Sequence, residues 1–170
     1  GEKPRLPAPV VLLAQSERGY EHLMKLNSCL YLDKAGALPQ VTLAELAAHS
    51  ADVICLTGGP MGPVGLLLQS NQRPAAEALV RALHAAFGDR LYMELQRHPG
   101  DSGAPEAERL TERGFVEMAY AMDIPLVATN DVYFPASNMY EAHDALICIS
   151  EGAYVDQQQG RRRLTPQHYF

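Results

Sequence analysis

The sequence contains no tryptophan, and only 7% of its residues are aromatic, so we expect a core built from alanine, leucine and valine. No apolar run is long enough to span a membrane, and no signal peptide opens the chain. The three cysteines are far apart and form no CxxC pair. This cysteine usage argues against a disulfide framework and fits a reducing, cytoplasmic location.

Positive charge is also scarce, since 14 Lys and Arg are outnumbered by 20 Asp and Glu, for a net charge of -6. Because phosphate binding needs a basic field, this balance argues against the chain being a main nucleic-acid-binding surface. The dense basic run Arg161, Arg162 and Arg163 is an exception. We interpret it as a solvated turn and keep a phosphate contact as the alternative.

Apolar runs alternate with amphipathic segments along the chain. The runs predict strands at residues 9–14, 52–57, 91–96 and 125–129. We expect the first strand to be fully buried. Ser16 and a capping box at Thr42 and Glu45 predict helix starts, and Thr165 before Pro166 predicts another near the end. The alternation is typical of an α/β fold with a parallel sheet, either a small open sheet or half of a barrel.

The third predicted strand carries polar residues on one face. A period of two places Tyr92, Glu94 and Gln96 together, and burying a carboxylate and an amide is costly unless they are paired. A polar pocket or a barrel interior explains this pattern better than a half-exposed edge strand does. His98 joins the same face if the extended geometry persists.

Two candidate metal ligands lie at strand ends, where α/β folds collect their sites. His98 follows the third strand, and Asp131 follows the fourth. They could share a divalent metal, but two protein ligands alone do not hold a catalytic ion, so a structural hydrogen-bonded pair is the alternative. Tyr133 could only hydrogen-bond or ligate weakly, since the ordinary phenol pKa is about 10.

The glycine-rich loop at residues 58–65 follows a strand and precedes a helix, as a phosphate-binding loop would. It has no GK[ST] and no G-x-G-x-x-G in register, and its two prolines remove amide donors. We favour a tight turn with close backbone packing. Elsewhere, His143 is expected to pack against the segment that follows Asp131.

Several segments occur in an order that resembles one family. They are AQSERGYEHLMKLNSCLYL, DVICLTGGPMGPVG, YMELQRH, PLVATNDVYF, and EAHDALICISEG followed by RRRLTPQHYF. Together they resemble the polymerase and histidinol phosphatase (PHP) domain of bacterial DNA polymerase III alpha subunits, over nearly the whole chain. The resemblance implies that residues 10–170 are a partial PHP domain that lacks its first strands. Residues 1–9 are then a linker or a cut end.

The same resemblance implies a distorted, TIM-like seven-stranded β/α barrel with parallel strands and alternating helices. In metal-binding members of the family, the strand ends hold a metal cluster. The ELQRH motif matches His98 to a ligand position, and the motif usually written TNDVH matches Asp131 to another. Tyr133 stands where that motif has a histidine, which implies a degenerate site for zinc or manganese. The catalytic aspartates of polymerisation, and their magnesium, belong to a domain outside this chain.

The functional prediction is therefore a fragment of a replicative DNA-directed DNA polymerase, in which this region is structural or docks a partner. The resemblance implies DNA, a proofreading exonuclease subunit and a sliding clamp as partners of the full-length protein. An active metal-dependent phosphoesterase or 3'-5' proofreading exonuclease is the alternative, and a nucleic-acid-binding module at residues 161–163 is a third. The isolated chain is expected to associate with itself, because missing strands would expose apolar barrel edges.

Overall fold

The structure is a computed structural model that describes residues 7–32, 38–98, 105–157 and 159–170, so residues 1–6 of the expected linker lie outside the described residues. The strands are β1 (Val11–Ala14), β2 (Val53–Leu56), β3 (Leu91–Gln96) and β4 (Leu126–Thr129). The helices are α1 (Glu17–Tyr31), α2 (Leu43–Ala48), α3 (Pro63–Gln69), α4 (Arg73–Phe87), α5 (Glu106–Met122) and α6 (Tyr140–Glu151). Among these described helices, none has the length and apolar character needed to cross a membrane.

The strands form one sheet in the order β1-β2-β3-β4. β3 runs parallel to both β2 and β4, which confirms the predicted α/β fold with a mostly parallel sheet. β1 pairs antiparallel with β2, so the prediction of parallel strands throughout is wrong at this edge. The connection between β1 and β2 contains the two helices α1 and α2.

The prediction that the first strand is fully buried is also wrong. β1 lies at the edge of the sheet, where Val11 is 40% exposed and Leu13 is 48% exposed. The register pairs Val11 with Leu56 and Leu13 with Ile54, so these side chains belong to one face of the sheet. Apolar side chains on the β1 side of this face are therefore left in contact with water.

The hydrophobic core lies between the opposite face of the sheet and the helices. The fully buried sheet residues are Val53, Cys55, Leu91 and Met93. The helices contribute Val64, Val80, Leu83, Phe87, Phe115 and Met118, all of them at most 1% exposed. The core is mainly aliphatic, as the composition predicted, but two phenylalanines lie within it.

Two predicted helix starts are confirmed by their caps. The Ser16 hydroxyl oxygen accepts the Gly19 N–H at 3.2 Å at the start of α1. At the start of α2, Thr42 Oγ1 accepts the Glu45 N–H at 3.2 Å, while Glu45 Oε2 accepts the Thr42 N–H at 2.6 Å. This reciprocal capping box satisfies amide groups that have no partner within the helix.

The prediction of a helix that begins at Thr165 is wrong, because residues 159–170 contain turns and a single isolated bridge. Thr165 forms a turn in which its Oγ1 lies 3.0 Å from His168 Nδ1 and also accepts the Gln167 N–H at 3.3 Å. Threonine side chains can bond their own neighbouring backbone in this way and so compete with helix formation.

Gly19 provides a test of how α1 packs on the β1–β2 edge. A Cβ at Gly19 would lie 2.0 Å from the backbone oxygen of Asp52, whereas one at Gly114 in α5 would meet only the flexible tip of Leu68, at 2.9 Å. We expect Gly19→Ala to lower the free energy of unfolding by about 2 kcal/mol, despite the gain of about 1 kcal/mol in helix propensity. Gly114→Ala is the control, and we expect a change of less than about 1 kcal/mol. Equal urea midpoints for the two variants would contradict this packing.

Candidate strand-end site

The polar face of β3 points into a buried network at the carboxyl end of the strand. Glu94 is only 3% exposed, and its carboxylate accepts three hydrogen bonds. The donors are the Gly58 N–H at 2.9 Å, Thr129 Oγ1 at 2.5 Å and Gln96 Nε2 at 3.3 Å. Since β3 lies between two other strands, the alternative of an edge strand is wrong, and the buried carboxylate is satisfied by neighbouring donors.

The glycine-rich loop closes against this carboxylate. Gly58 and Gly59 have φ angles of 82° and 57°, in the left-handed region that favours glycine. A Cβ at Gly58 would also lie 2.1 Å from the backbone oxygen of Pro9. Because the Gly58 amide donates to Glu94, the loop forms the tight turn that we favoured over a phosphate site.

His98 is the centre of the strand-end site and is 1% exposed. Its Nδ1 lies 2.6 Å from Glu108 Oε1, and its backbone N–H donates to Glu108 Oε2 at 2.9 Å. Its Nε2 lies 2.5 Å from Asn130 Oδ1. One side chain therefore joins the end of β3 to the first turn of α5 and to the end of β4.

The surroundings of Asn130 decide what His98 Nε2 can do. The Asn130 Nδ2 group donates to the backbone oxygen of Gln167 at 3.5 Å and to that of Tyr169, which fixes its Oδ1 towards His98. The bond with Oδ1 uses the tautomer that carries a proton on Nε2. The Asp131 N–H lies 3.2 Å from the same nitrogen, but using that contact would require a lone pair on Nε2.

His168 covers the other side of the His98 ring, and sequence reasoning assigned it no role. The two rings stack with centroids 3.9 Å apart and planes 14° apart, and His168 is 5% exposed. Burial lowers the pKa of His168, and the neighbouring His98 lowers it further. His168 is therefore a neutral ring at neutral pH.

The three residues singled out from the sequence lie at the same end of the sheet but do not converge on one point. His98 meets Asp131 through the backbone amide of Asp131. Tyr133 is 41% exposed, and its hydroxyl accepts a hydrogen bond from Arg162 Nη2 at 3.0 Å. The Tyr133 ring also lies 5.6 Å from that of His143, which packs against this segment as predicted. Among the described residues, no three His, Cys, Asp or Glu side chains are arranged to hold a metal ion.

Arg162 and Arg163 of the basic run are exposed, as a solvated turn predicts, whereas the Arg161 side chain is buried. Arg161 pairs with Asp144 of α6 through two hydrogen bonds of 2.6 and 2.9 Å, and the two side chains are 2% and 5% exposed. Arg162 lies over the Tyr133 ring, and Arg163 Nε donates to the Tyr140 hydroxyl at 2.9 Å. These arginines attach the end of the chain to α6 and to the segment after β4.

Glu108 and Asn130 were missed because their roles depend on distant partners. Glu108 looks like an ordinary acid in the first turn of a helix, where the helix dipole favours negative charge. Asn130 directly precedes Asp131, which was the candidate ligand in this segment. Its side chain donates hydrogen bonds to the backbone oxygens of residues 167 and 169, which are distant in the sequence. The sequence offered one indication of such partners, which is that a buried histidine at position 98 would need hydrogen-bonding groups around it.

The pair of His98 and Glu108 is testable through Glu108→Ala. This change leaves the Nδ1 proton and the backbone N–H of His98 buried without an acceptor, so we expect a loss of about 3 kcal/mol in the free energy of unfolding. Glu106→Ala is the control, because Glu106 is exposed in the same first turn of α5. Urea unfolding in which both variants match the wild type would contradict a buried pair.

The pair of Asp144 and Arg161 predicts a pH dependence. The Arg161 guanidinium holds the pKa of the Asp144 carboxyl below its usual range. The stability that Asp144 contributes is therefore fully present above the ordinary pKa of about 3.9 and is lost as the pH falls through the lower, folded-state pKa. We expect Asp144→Asn to be less stable than the wild type at neutral pH and to lose less stability on acidification, as measured by urea unfolding. Asp89→Asn, at an exposed site, should keep the wild-type pH dependence.

Comparison with known proteins agrees with the resemblance seen in the sequence. A family model described as the PHP domain matches residues 3–98. DNA polymerase III subunit alpha of Caulobacter vibrioides is 50% identical over 163 residues, which cover 95% of this chain and 14% of that protein. The proteins of the same name from Rickettsia bellii and Haemophilus influenzae are 35% and 33% identical, over 96% and 95% of this chain and 14% of each relative. The chain thus spans a small part of these relatives. Since the PHP model matches more than half of it, the chain belongs to the PHP domain family.

Proposed function

We propose that this chain is part of the PHP domain of a bacterial DNA polymerase III alpha subunit and that its role there is structural or partner-docking. The support is a set of three relatives with this name, each of which matches at least 95% of the chain. In this proposal the full-length protein is a DNA-directed DNA polymerase. Its catalytic centre and its magnesium lie outside this chain.

The proposal extends to the finer architecture. Residues 10–170 are a partial PHP domain, and the four strands described above belong to a distorted seven-stranded β/α barrel. The exposed apolar side chains of Val11 and Leu13 on the edge strand support this, because further strands at that edge would bury them. Without such strands the chain would associate with itself through the same surface.

The residues at the strand ends do not fit a zinc or manganese ion in their present arrangement. His98 has one ring nitrogen on Glu108 and the other on Asn130, so both nitrogens already have partners. Asp131 contributes a backbone amide to this cluster, and Tyr133 bonds with Arg162. This hydrogen bonding of His98 is the observation that carries the structural role. It also weighs against an active phosphoesterase or proofreading exonuclease at this site.

Partners follow from the proposed identity. The full-length protein would act on DNA in the cytoplasm, together with a proofreading exonuclease subunit and a sliding clamp. The acidic charge balance of this chain is compatible with protein partners contacting it and with DNA being bound elsewhere. The exposed apolar residues of α6, Leu146 at 62% and Ile149 at 77%, show that this helix retains apolar surface available for contact.

Two assays on the full-length protein test the polymerase assignment and the proposed absence of phosphoesterase activity separately. We expect the full-length protein to extend a DNA primer with magnesium, and to hydrolyse no nitrophenyl phosphate with manganese or zinc. Hydrolysis that Asp131→Ala abolishes would replace the structural role with the phosphoesterase. Failure of primer extension by folded full-length protein would contradict the polymerase assignment instead.

A further inference from the structure

Two histidines meet where α1 packs near the end of α2. His22 lies within α1, and His49 is the residue that caps the C-terminal end of α2. Their ring centroids are 5.6 Å apart and their planes are 87° apart, so the two imidazoles meet edge to face. Both residues are half-buried. The contact therefore places two side chains that commonly bind metals next to each other on two different helices.

This pair of histidines lies away from the strand-end site. His49 precedes the start of β2 by four residues, and β2 runs parallel to β3. The pair is therefore near the amino ends of these strands, whereas His98 follows the carboxyl end of β3. A ligand bound by the pair would be separate from any ion at the strand ends.

One ring nitrogen of the pair is buried without a partner. Among the described residues, His22 Nδ1 is inaccessible to solvent and has no hydrogen bond. A buried polar atom of this kind is costly, and an ion that binds the nitrogen lone pair would satisfy it. His143 Nδ1 is in the same position, but its ring neighbours are Tyr133 and Phe134, which offer no second imidazole.

The spacing of the two rings fits a shared ion. A zinc–nitrogen bond of about 2.0–2.1 Å, together with the size of the ring, places a bound ion about 3.2 Å from an imidazole centroid. Two imidazoles on one tetrahedral ion then have centroids about 5.2 Å apart. The observed distance of 5.6 Å is close to this value, and a small rotation of the half-buried His49 side chain closes the difference.

We propose that His22 and His49 form a binding site for a divalent cation of the zinc class, which binds both imidazoles and connects α1 to α2. Imidazole nitrogens suit such ions, and the net charge of -6 on the chain favours a cation. Water completes the coordination, because the described part of the chain forms no group of three His, Cys, Asp or Glu side chains around an ion. The site is therefore weaker than a zinc site with four protein ligands. This inference does not depend on the proposed function.

The test counts the Zn²⁺ ions bound to the full-length protein at neutral pH, by competition with a coloured zinc chelator. Four forms are compared: the wild type, His22→Ala, His49→Ala and the double variant. We expect the wild type to bind one more ion than each variant, or to bind that ion at least about tenfold more tightly. The double variant should match the single variants, because one shared ion needs both imidazoles.

Two further variants serve as controls. His84→Ala removes another half-buried histidine, from the last turn of α4, and should keep the ion. Asp131→Ala changes the strand-end site and should also keep it. If an alanine variant of the pair lacks the melting temperature of the zinc-free wild type, His22→Gln or His49→Gln replaces it, because glutamine keeps a polar side chain and lacks the imidazole.

The outcomes either support the shared site or overturn it. Loss of the same ion from both single variants, with retention by His84→Ala, would support it. Equal zinc binding by the wild type and the double variant would overturn it and leave the two rings as packing partners. Additive losses in the single variants would also overturn it, since each histidine would then bind an ion alone. Loss of the ion from Asp131→Ala would assign it to the strand ends instead. Primer extension does not enter these comparisons, so the proposed function is tested separately.

Discussion

The strand-end site depends on one buried imidazole with a hydrogen bond at each ring nitrogen. His98 links the end of β3 to α5 through Glu108 and to the end of β4 through Asn130. A buried polar ring stabilises a fold when both of its nitrogens have partners, and it is costly when one lacks a partner. The same two contacts that stabilise this end of the sheet occupy both ring nitrogens, so an ion could bind His98 only by displacing one of them. Stability and metal binding are thus alternatives at His98.

A second layer of contacts holds this arrangement in place. His168 stacks on His98, and the buried pair of Arg161 and Asp144 attaches the segment around residue 161 to α6. Arg162 lies over the Tyr133 ring. Residues that could have been ligands or phosphate contacts are therefore engaged with each other. These contacts support the structural role proposed for this region.

The sequence was sufficient for the elements whose signals are local. The alternation of apolar and amphipathic segments predicted the strands, and the capping box at Thr42 and Glu45 predicted the start of α2. Prediction from the sequence failed where contacts with residues distant in the sequence determine the local structure. The direction and exposure of β1 depend on its place at the sheet edge, and the turn at Thr165 depends on His168. The position of His98 near Asp131 followed from parallel topology, but its partners Glu108 and Asn130 did not.

A crystal structure of the full-length protein grown with manganese tests the central claim most directly, through the anomalous scattering of the metal. The account predicts that Asn130 Oδ1 stays within hydrogen-bonding distance of His98 Nε2 and that no anomalous peak lies at bonding distance from that nitrogen. A manganese ion bound to Nε2, with the Asn130 amide turned away from it, would contradict the account.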